Sequence, residues 1–205
     1  MRLDLFPAGV PLSKRLFDLF CSTLGLIILS PFLLLVGILI LITDGWPIIF
    51  FQDRPGYHAR LFKMIKFRTM SIFPAIPSPD TDAERITRLG KILRATSVDE
   101  WPQLFNILCG EMSLVGPRPL LIQYLERYTP EQARRHDVLP GMTGWAQVNG
   151  RNSLSWEEKF RLDVWYVDHW SFKLDLQILW MTIKKVIKRE GITQDGTASA
   201  EEFKG

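Results

Sequence analysis

No charged residue interrupts the chain from Leu19 to Thr43, and this apolar run is its clearest pattern. At about 1.5 Å per helical residue, roughly 25 residues reach across a ~30 Å hydrocarbon core, so a membrane helix is predicted. Beyond it the periods shorten. Ile48 to Gln52 and Leu61 to Phe67 are β-prone stretches on either side of Arg54-Pro55-Gly56, which predicts a hairpin with its turn at those residues. Pro74 to Asp82 holds three prolines and reads as a surface loop. Ile86, Leu89, Ile92 and Leu93 recur at helical spacing and predict a helix over Glu84 to Ala95, with another over Trp101 to Cys109. Leu120 to His136 also reads as a helix, and Pro140-Gly141-Met142-Thr143-Gly144 then breaks the chain. Ser155-x-x-Glu158 is a capping box that opens a helix carrying Phe160, Val164 and Val167 on one face. Phe172 to Arg189 is amphipathic and ends in Lys184, Lys185, Lys188 and Arg189. With Trp165, Tyr166 and Trp170 nearby, that end of the chain suits either the membrane interface or the core. A polar tail runs from Thr193 to Gly205.

The apolar run carries Ser30-Pro31 at its midpoint. Proline removes a backbone donor and the Ser30 hydroxyl can bond the freed carbonyl, so a bend is chemically supported there. Each arm is then about 12 residues, or about 18 Å, enough to reach mid-bilayer and return. Lys14 and Arg15 precede the run, placed to rest at lipid headgroups, while Arg54, Arg60, Lys63, Lys66 and Arg68 follow it. Basic residues on both sides favour cytoplasmic placement of both ends. The alternative is a kinked helix that spans the membrane. The expected architecture is α+β and mostly helical, with a re-entrant helix-break-helix, amphipathic interfacial helices and a small β-hairpin. It divides into a membrane segment over 1–45, a globular domain over 46–192 and a tail over 193–205.

Charge changes the picture only slightly. A net charge of +3 on 205 residues suits phosphate substrates or an anionic membrane surface, and no nucleic-acid motif accompanies it. Cys21 and Cys109 are isolated, and His58, His136 and His169 lack ligand spacing, so neither a disulfide framework nor a zinc site is expected.

Candidate chemistry concentrates at Asp99-Glu100, bracketed by Arg94 and Arg118. Adjacent carboxylates on a helix point about a hundred degrees apart and can divide nucleophile, metal-ligand and proton-transfer roles. Guanidinium groups beside them suit phosphate oxygens. The same residues also fit a capping box from Ser97 to Glu100, and Pro102 fits better if Asp99 is itself the N-cap. Lys66 and Arg68 alternate on one strand face and address either an anion or solvent. Pro117 and Pro119 restrain the backbone around Arg118, for which pairing with Glu111 is the plain alternative. The glycines between Gly141 and Gly150 permit close backbone approach to a ligand, and Arg151 can hold a second phosphate.

Lys14-Arg15-x-x-Asp18, Ser30-Pro31, Lys66 to Met70, Thr96 to Leu104, Ser113 to Leu120 and Pro140 to Asn152 together resemble the bacterial sugar transferase family. These are monotopic polyprenyl-phosphate phosphoglycosyl transferases, and the resemblance runs nearly end to end in the size of the family's small form. Val98 and Trp101 stand where leucines are common beside the Asp-Glu pair. The resemblance implies an enzyme on the cytoplasmic face of the bacterial inner membrane. Such an enzyme moves a sugar phosphate from a UDP-sugar to undecaprenyl phosphate, releases UMP and starts a surface glycan or glycoprotein. It implies Asp99 as nucleophile and metal ligand, Glu100 as base or metal partner, and Mg²⁺ as cofactor. Lys66, Arg94, Arg118, Gln147 and Arg151 would hold substrate, and Ser30 and Pro31 would bend the hairpin. The short form and tail look most like enzymes for acetamido sugars such as diacetylated bacillosamine. Inner-membrane lipids and downstream glycosyltransferases are the implied partners. A non-catalytic membrane scaffold that binds nucleotide sugar or polyprenyl phosphate is the alternative, and UMP release separates the two.

Overall fold

A computed structural model describes residues 3–72, 85–150, 154–188 and 203–205. The loop expected at Pro74 to Asp82, most of the tail and Arg151 lie outside those residues. The fold is mostly helical and begins with α1, Leu12–Thr43, a helix of 32 residues. Its most apolar stretch has a mean hydropathy of 2.9 and is only 22% buried, which marks a membrane-associated helix rather than a core helix. Pro31 lies inside it, so the expected break at Ser30-Pro31 is not an interruption of the helix. Local chemistry keeps it continuous. Without a Pro31 N–H the Ile27 carbonyl loses its helical partner, and the Ser30 hydroxyl donates to that oxygen at 2.9 Å.

One face of α1 packs along its length against the rest of the chain. Leu26 and Leu29 meet Phe62, Met64, Leu104, Ile107 and Met112, while Leu33, Val36 and Ile40 meet Phe67, Leu93 and Val98. Each fully buried aliphatic side chain here contributes about 1.5–3 kcal/mol. Its two ends are also tied to this body by polar contacts. At the start Lys14 Nζ donates to Asp175 Oδ2 at 2.6 Å and to the Val115 carbonyl at 2.9 Å. Arg15 donates to the carbonyls of Ile107 and Leu108, and Asp18 accepts from the Leu114 N–H. Lys14 and Arg15 are therefore buried locks, 4% and 1% exposed, and not headgroup contacts. At the far end Arg68 donates to the carbonyls of Asp44, Gly45 and Trp46, and Thr87 Oγ1 donates to the Asp44 carboxylate. Arg68 thus holds the turn after α1.

The hairpin forms from β1, Ile49–Pro55, and β2, Leu61–Phe67, with Phe50 opposite Lys66 and Arg54 opposite Phe62. Arg54 and Pro55 belong to the strand, so the turn falls later than expected, at Gly56 to Arg60. α2, Arg88–Thr96, starts later than Glu84 because Ile86 bridges Met70 and the Thr87 side chain caps the Gly90 N–H. A 3-10 helix over Val98–Gln103 precedes α3, Leu104–Cys109, so the expected helix from Trp101 starts as a tighter coil. β3, Ser113–Val115, pairs in parallel with β4, Gly141–Thr143.

The helix expected over Leu120–His136 is broken into a 3-10 helix Ile122–Arg127, α4 at Pro130–Ala133 and a 3-10 turn Arg134–His136. Pro130 begins a new helix under the Thr129–Gln132 capping box, which the sequence carries in plain view. α5, Trp145–Asn149, leads to α6, Trp156–Asp168, whose Ser155–Glu158 capping box is present, and to α7, Phe172–Lys188. Tyr166 is buried and Trp170 donates to Asp175, so both serve the core, whereas Leu176, Trp180, Ile183 and Val186 form an exposed apolar stripe on α7. Phe17 of α1 meets Phe172 edge-on and joins that stripe to the membrane helix.

Candidate active site

The site is built where the 3-10 helix Val98–Gln103 crosses β2. Ser97 adopts a left-handed conformation, φ 58°, and its N–H closes α2 on the carbonyls of Arg94 and Leu93. Its side chain makes no cap, so the capping-box alternative fails and Glu100 is free for other work. At three residues per turn, neighbours in a 3-10 helix point about 120° apart. Glu100 turns to two cations, accepting from Lys66 Nζ at 2.9 Å and from Arg118 Nη2 at 2.5 Å and Nη1 at 3.3 Å. Arg118 therefore pairs with Glu100, whereas Glu111 accepts from Asn106.

Asp99 points elsewhere. It is 8% exposed, and among the described residues no hydrogen bond reaches its carboxylate. Burial and the neighbouring Glu100 charge push its carboxyl up to about 6, against the opposing pull of Lys66, Arg94 and Arg118. Burial would raise Glu100 too, but Arg118 and Lys66 outweigh it and hold that carboxyl far below the usual range. The two acids are thus pushed apart, one neutralised by fixed partners and one ready to change partners. Arg94 stands beside this pair, with Nε donating to Thr69 Oγ1 at 2.9 Å.

Arg118 is positioned from beneath as well as by its prolines. Arg135 Nη2 donates to the Arg118 carbonyl at 2.7 Å and to Asp163 Oδ2 at 2.7 Å, and Nε reaches the same Oδ2 at 3.1 Å. Both partners of this ion pair are buried, 3% and 4% exposed. Asp163→Asn leaves Arg135 buried without its counter-charge, and we expect a loss of about 3–5 kcal/mol. Thermal unfolding should report that loss, and the remaining folded enzyme should show a raised KM for a phosphorylated substrate. An unchanged melting temperature would mean that Asp163 supports nothing.

Gln147 lies on α5, and both atoms of its amide are buried with no partner. Gly144 beside it packs so closely that an added Cβ would sit 2.2 Å from the Gly116 carbonyl oxygen and 2.7 Å from Gln147 Oε1. Gly116 and Gly141 approach each other equally closely, so at these three positions the missing side chains admit another stretch of backbone rather than a ligand. They dock the Gln147 segment against the loop that carries Arg118. The structure brings Lys66, Arg94, Asp99, Glu100 and Arg118 together, places Gln147 next to the Arg118 loop, and leaves Arg151 outside the described residues. Sequence reasoning missed Arg135 and Asp163, whose pairing across 28 positions leaves no local signature.

A metal can be held only in a particular way here. Among the described residues no group of three or more His, Cys, Asp or Glu side chains forms a ready-made cage. One uncommitted carboxylate beside cations for phosphate fits Mg²⁺, which keeps water and substrate phosphate in its shell.

The bacterial sugar transferase family model matches residues 10–189. An uncharacterized sugar transferase of Bacillus subtilis, EpsL, is 51% identical over 197 residues, covering 94% of this chain and 96% of that protein. The undecaprenyl-phosphate galactose phosphotransferase of Salmonella typhimurium is 39% identical over 196 residues, covering 87% of this chain and 41% of its own. The undecaprenyl-phosphate glucose phosphotransferase of Komagataeibacter xylinus is 42% identical over 191 residues, covering 86% and 36%. The chain thus spans less than half the length of the last two, and nearly all of the first. With its site assembled from the same segments that carry the sequence resemblance, the chain belongs to the bacterial sugar transferase family.

Proposed function

We propose that this phosphoglycosyl transferase moves a sugar 1-phosphate from a UDP-sugar to undecaprenyl phosphate through a phosphosugar bound to Asp99. The observation that carries the reading is the contrast within the acidic pair: Glu100 is clamped by Lys66 and Arg118, while Asp99 is buried, unpaired and ringed by positive charge. A carboxylate that no protein donor holds is free to take a new partner.

In the first step an Asp99 oxygen attacks the phosphorus next to the sugar. The bond from that phosphorus to the bridging oxygen breaks, and UMP leaves with the electron pair. In the second step an oxygen of the lipid phosphate attacks the same phosphorus and frees the Asp99 carboxylate, giving a lipid diphosphosugar. Splitting the transfer in two avoids bringing two large anions into one site at once. Lys66, Arg94 and Arg118 offset charge on the transferred group, and the unpaired amide of Gln147 supplies a donor and an acceptor to the substrate. Mg²⁺, held by Asp99 with Glu100 nearby, would neutralise diphosphate charge when bound.

The donor sugar is best read as UDP-linked. The sequence suggests an acetamido sugar, whereas the relatives above are named for galactose and glucose. A panel of UDP-sugars assayed for UMP release decides among them, and release from none would leave the scaffold alternative. The reaction itself is tested by mass spectrometry of protein quenched with donor alone. We expect the mass of a sugar phosphate on the peptide containing Asp99, and its absence after incubation with donor alone would remove the covalent route.

The membrane seat follows the same logic. Both ends of α1 are bonded to one globular body, so a straight span would have to carry that body's contacts to both sides of the bilayer. A re-entrant α1 bent near Pro31, with the α7 stripe in the interface, keeps Asp99 at the cytoplasmic headgroup plane, where lipid phosphate and cytosolic nucleotide meet. Single cysteines at Leu3 and Asp53, in a background lacking Cys21 and Cys109, should both be shielded from an impermeant maleimide in intact cells. Labelling of one position only would establish a spanning helix instead.

A further inference from the structure

Arg54 is a second guanidinium beside Arg118 to which no role has yet been given. In the antiparallel register Phe50 opposes Lys66, Gln52 opposes Met64 and Arg54 opposes Phe62, so Arg54 and Lys66 stand on the same face of the hairpin. Gln52 Oε1 accepts from Arg54 Nη2 at 2.7 Å and steadies the side chain. Its Nε is buried and has no partner. A buried donor left unpaired in a charged group is costly, and a guanidinium beside another guanidinium is costlier still. Burial and the Arg118 charge pull its pKa down to about 10, while Tyr124, Glu100 and Tyr128 act in the opposite sense. Among the described residues Glu100 pairs with Lys66 and Arg118 and also acts on Arg54, while Lys66, Arg94 and Arg118 act on Asp99. Among the described residues no hydrogen-bond acceptor answers the free Nε.

We propose that Arg54 binds the phosphate that occupies the position opposite Asp99 across the transferred phosphorus. The inference rests on the two-step reading above. An in-line displacement places nucleophile and leaving group on opposite sides of phosphorus. In the first step Asp99 attacks and the UMP phosphate departs from the far side; in the second the lipid phosphate enters from that side and Asp99 departs. One cation there serves both phosphates in turn. Arginine suits this use, since its planar fork meets phosphate oxygens without needing a fixed partner in the resting enzyme.

The test takes Arg54→Gln and Arg54→Lys in the full-length, membrane-solubilised enzyme, with melting temperatures as a check on folding. Adduct formation is followed with UDP-sugar alone, and discharge is followed by adding undecaprenyl phosphate to preformed adduct. A third measurement is the affinity of resting enzyme for UMP. A charge-assisted hydrogen bond is worth about 1.5–3 kcal/mol, so Arg54→Gln should slow both steps and weaken UMP binding roughly 10- to 100-fold. Arg54→Lys should fall between, and it carries the test if the glutamine variant does not fold. Slowing of one step alone, or of neither, overturns the shared position. Should wild-type enzyme form no adduct, the covalent reading fails, and unchanged UMP affinity in the variants would then overturn Arg54 as a phosphate ligand separately.

Discussion

Asp99→Asn should abolish both the phosphosugar adduct and net transfer, a loss on the order of 10³-fold or more, because an amide cannot serve as the attacking oxyanion. The same substitution should make the protein more stable. The Asp99 carboxyl is raised from 3.8 to about 6 in the folded chain, chiefly by burial, so folding favours its protonated form. Its ionisation therefore costs nothing at low pH, costs progressively more as pH rises from about 4 to about 6, and costs the full amount above that. Two units correspond to roughly 3 kcal/mol, and we expect Asp99→Asn to recover on the order of 1–3 kcal/mol at pH 7.5 in metal-chelated buffer. Below pH 4 the gain should vanish. Thermal melts across that range check the stability half, and radiolabelled transfer checks the activity half. Near-normal turnover would exclude Asp99 as nucleophile, and a variant less stable than wild type at pH 7.5 would remove the strain ascribed to its burial.

What the sequence conveyed divides along the range of the interactions involved. α1 and the start of α6 depend on local features, an uninterrupted apolar run and the Ser155–Glu158 box; α6 starts where the box places it, and α1 ends with the run at Thr43 but begins earlier, at Leu12, and is unbroken at Pro31. Lys66, Asp99, Glu100 and Arg118 were readable because each lies in a motif of the family, and their convergence is geometric fact. Ser97 shows the limit. Ser-Val-Asp-Glu fits a capping box, but the local pattern cannot show that Lys66 and Arg118 will claim the glutamate, and Ser97 turns left-handed between α2 and the 3-10 helix without its side chain capping the latter. β3 and β4 are three residues each, too short to show alternation, and pair across a long separation. Thr129-Pro130-Glu131-Gln132 is a legible helix start inside the single helix expected over Leu120 to His136.

Lys14 is the sharpest case of meaning hidden by distance, and it carries the second large effect. Beside an apolar run it reads as a headgroup contact, yet its ammonium is 161 positions from the carboxylate it meets. Asp175 Oδ2 also accepts from Trp170 Nε1 at 3.1 Å, and Asp175 Oδ1 accepts from the Tyr166 hydroxyl at 2.6 Å, so its lone pairs are well used but only Lys14 supplies charge. Lys14→Met should therefore leave a buried carboxylate without its cation and cost about 3–5 kcal/mol. Because the pair joins the first turn of α1 to α7, the loss should appear as detachment of the membrane helix, with lower thermal stability in detergent and faster proteolysis near the N-terminus. Lys14→Met combined with Asp175→Leu should recover much of the loss, since an apolar pair of similar volume has no charge to desolvate. If the double variant is no better than the single one, the damage lies in the Tyr166 and Trp170 contacts, and the ion pair is not what fastens the membrane helix to the catalytic body.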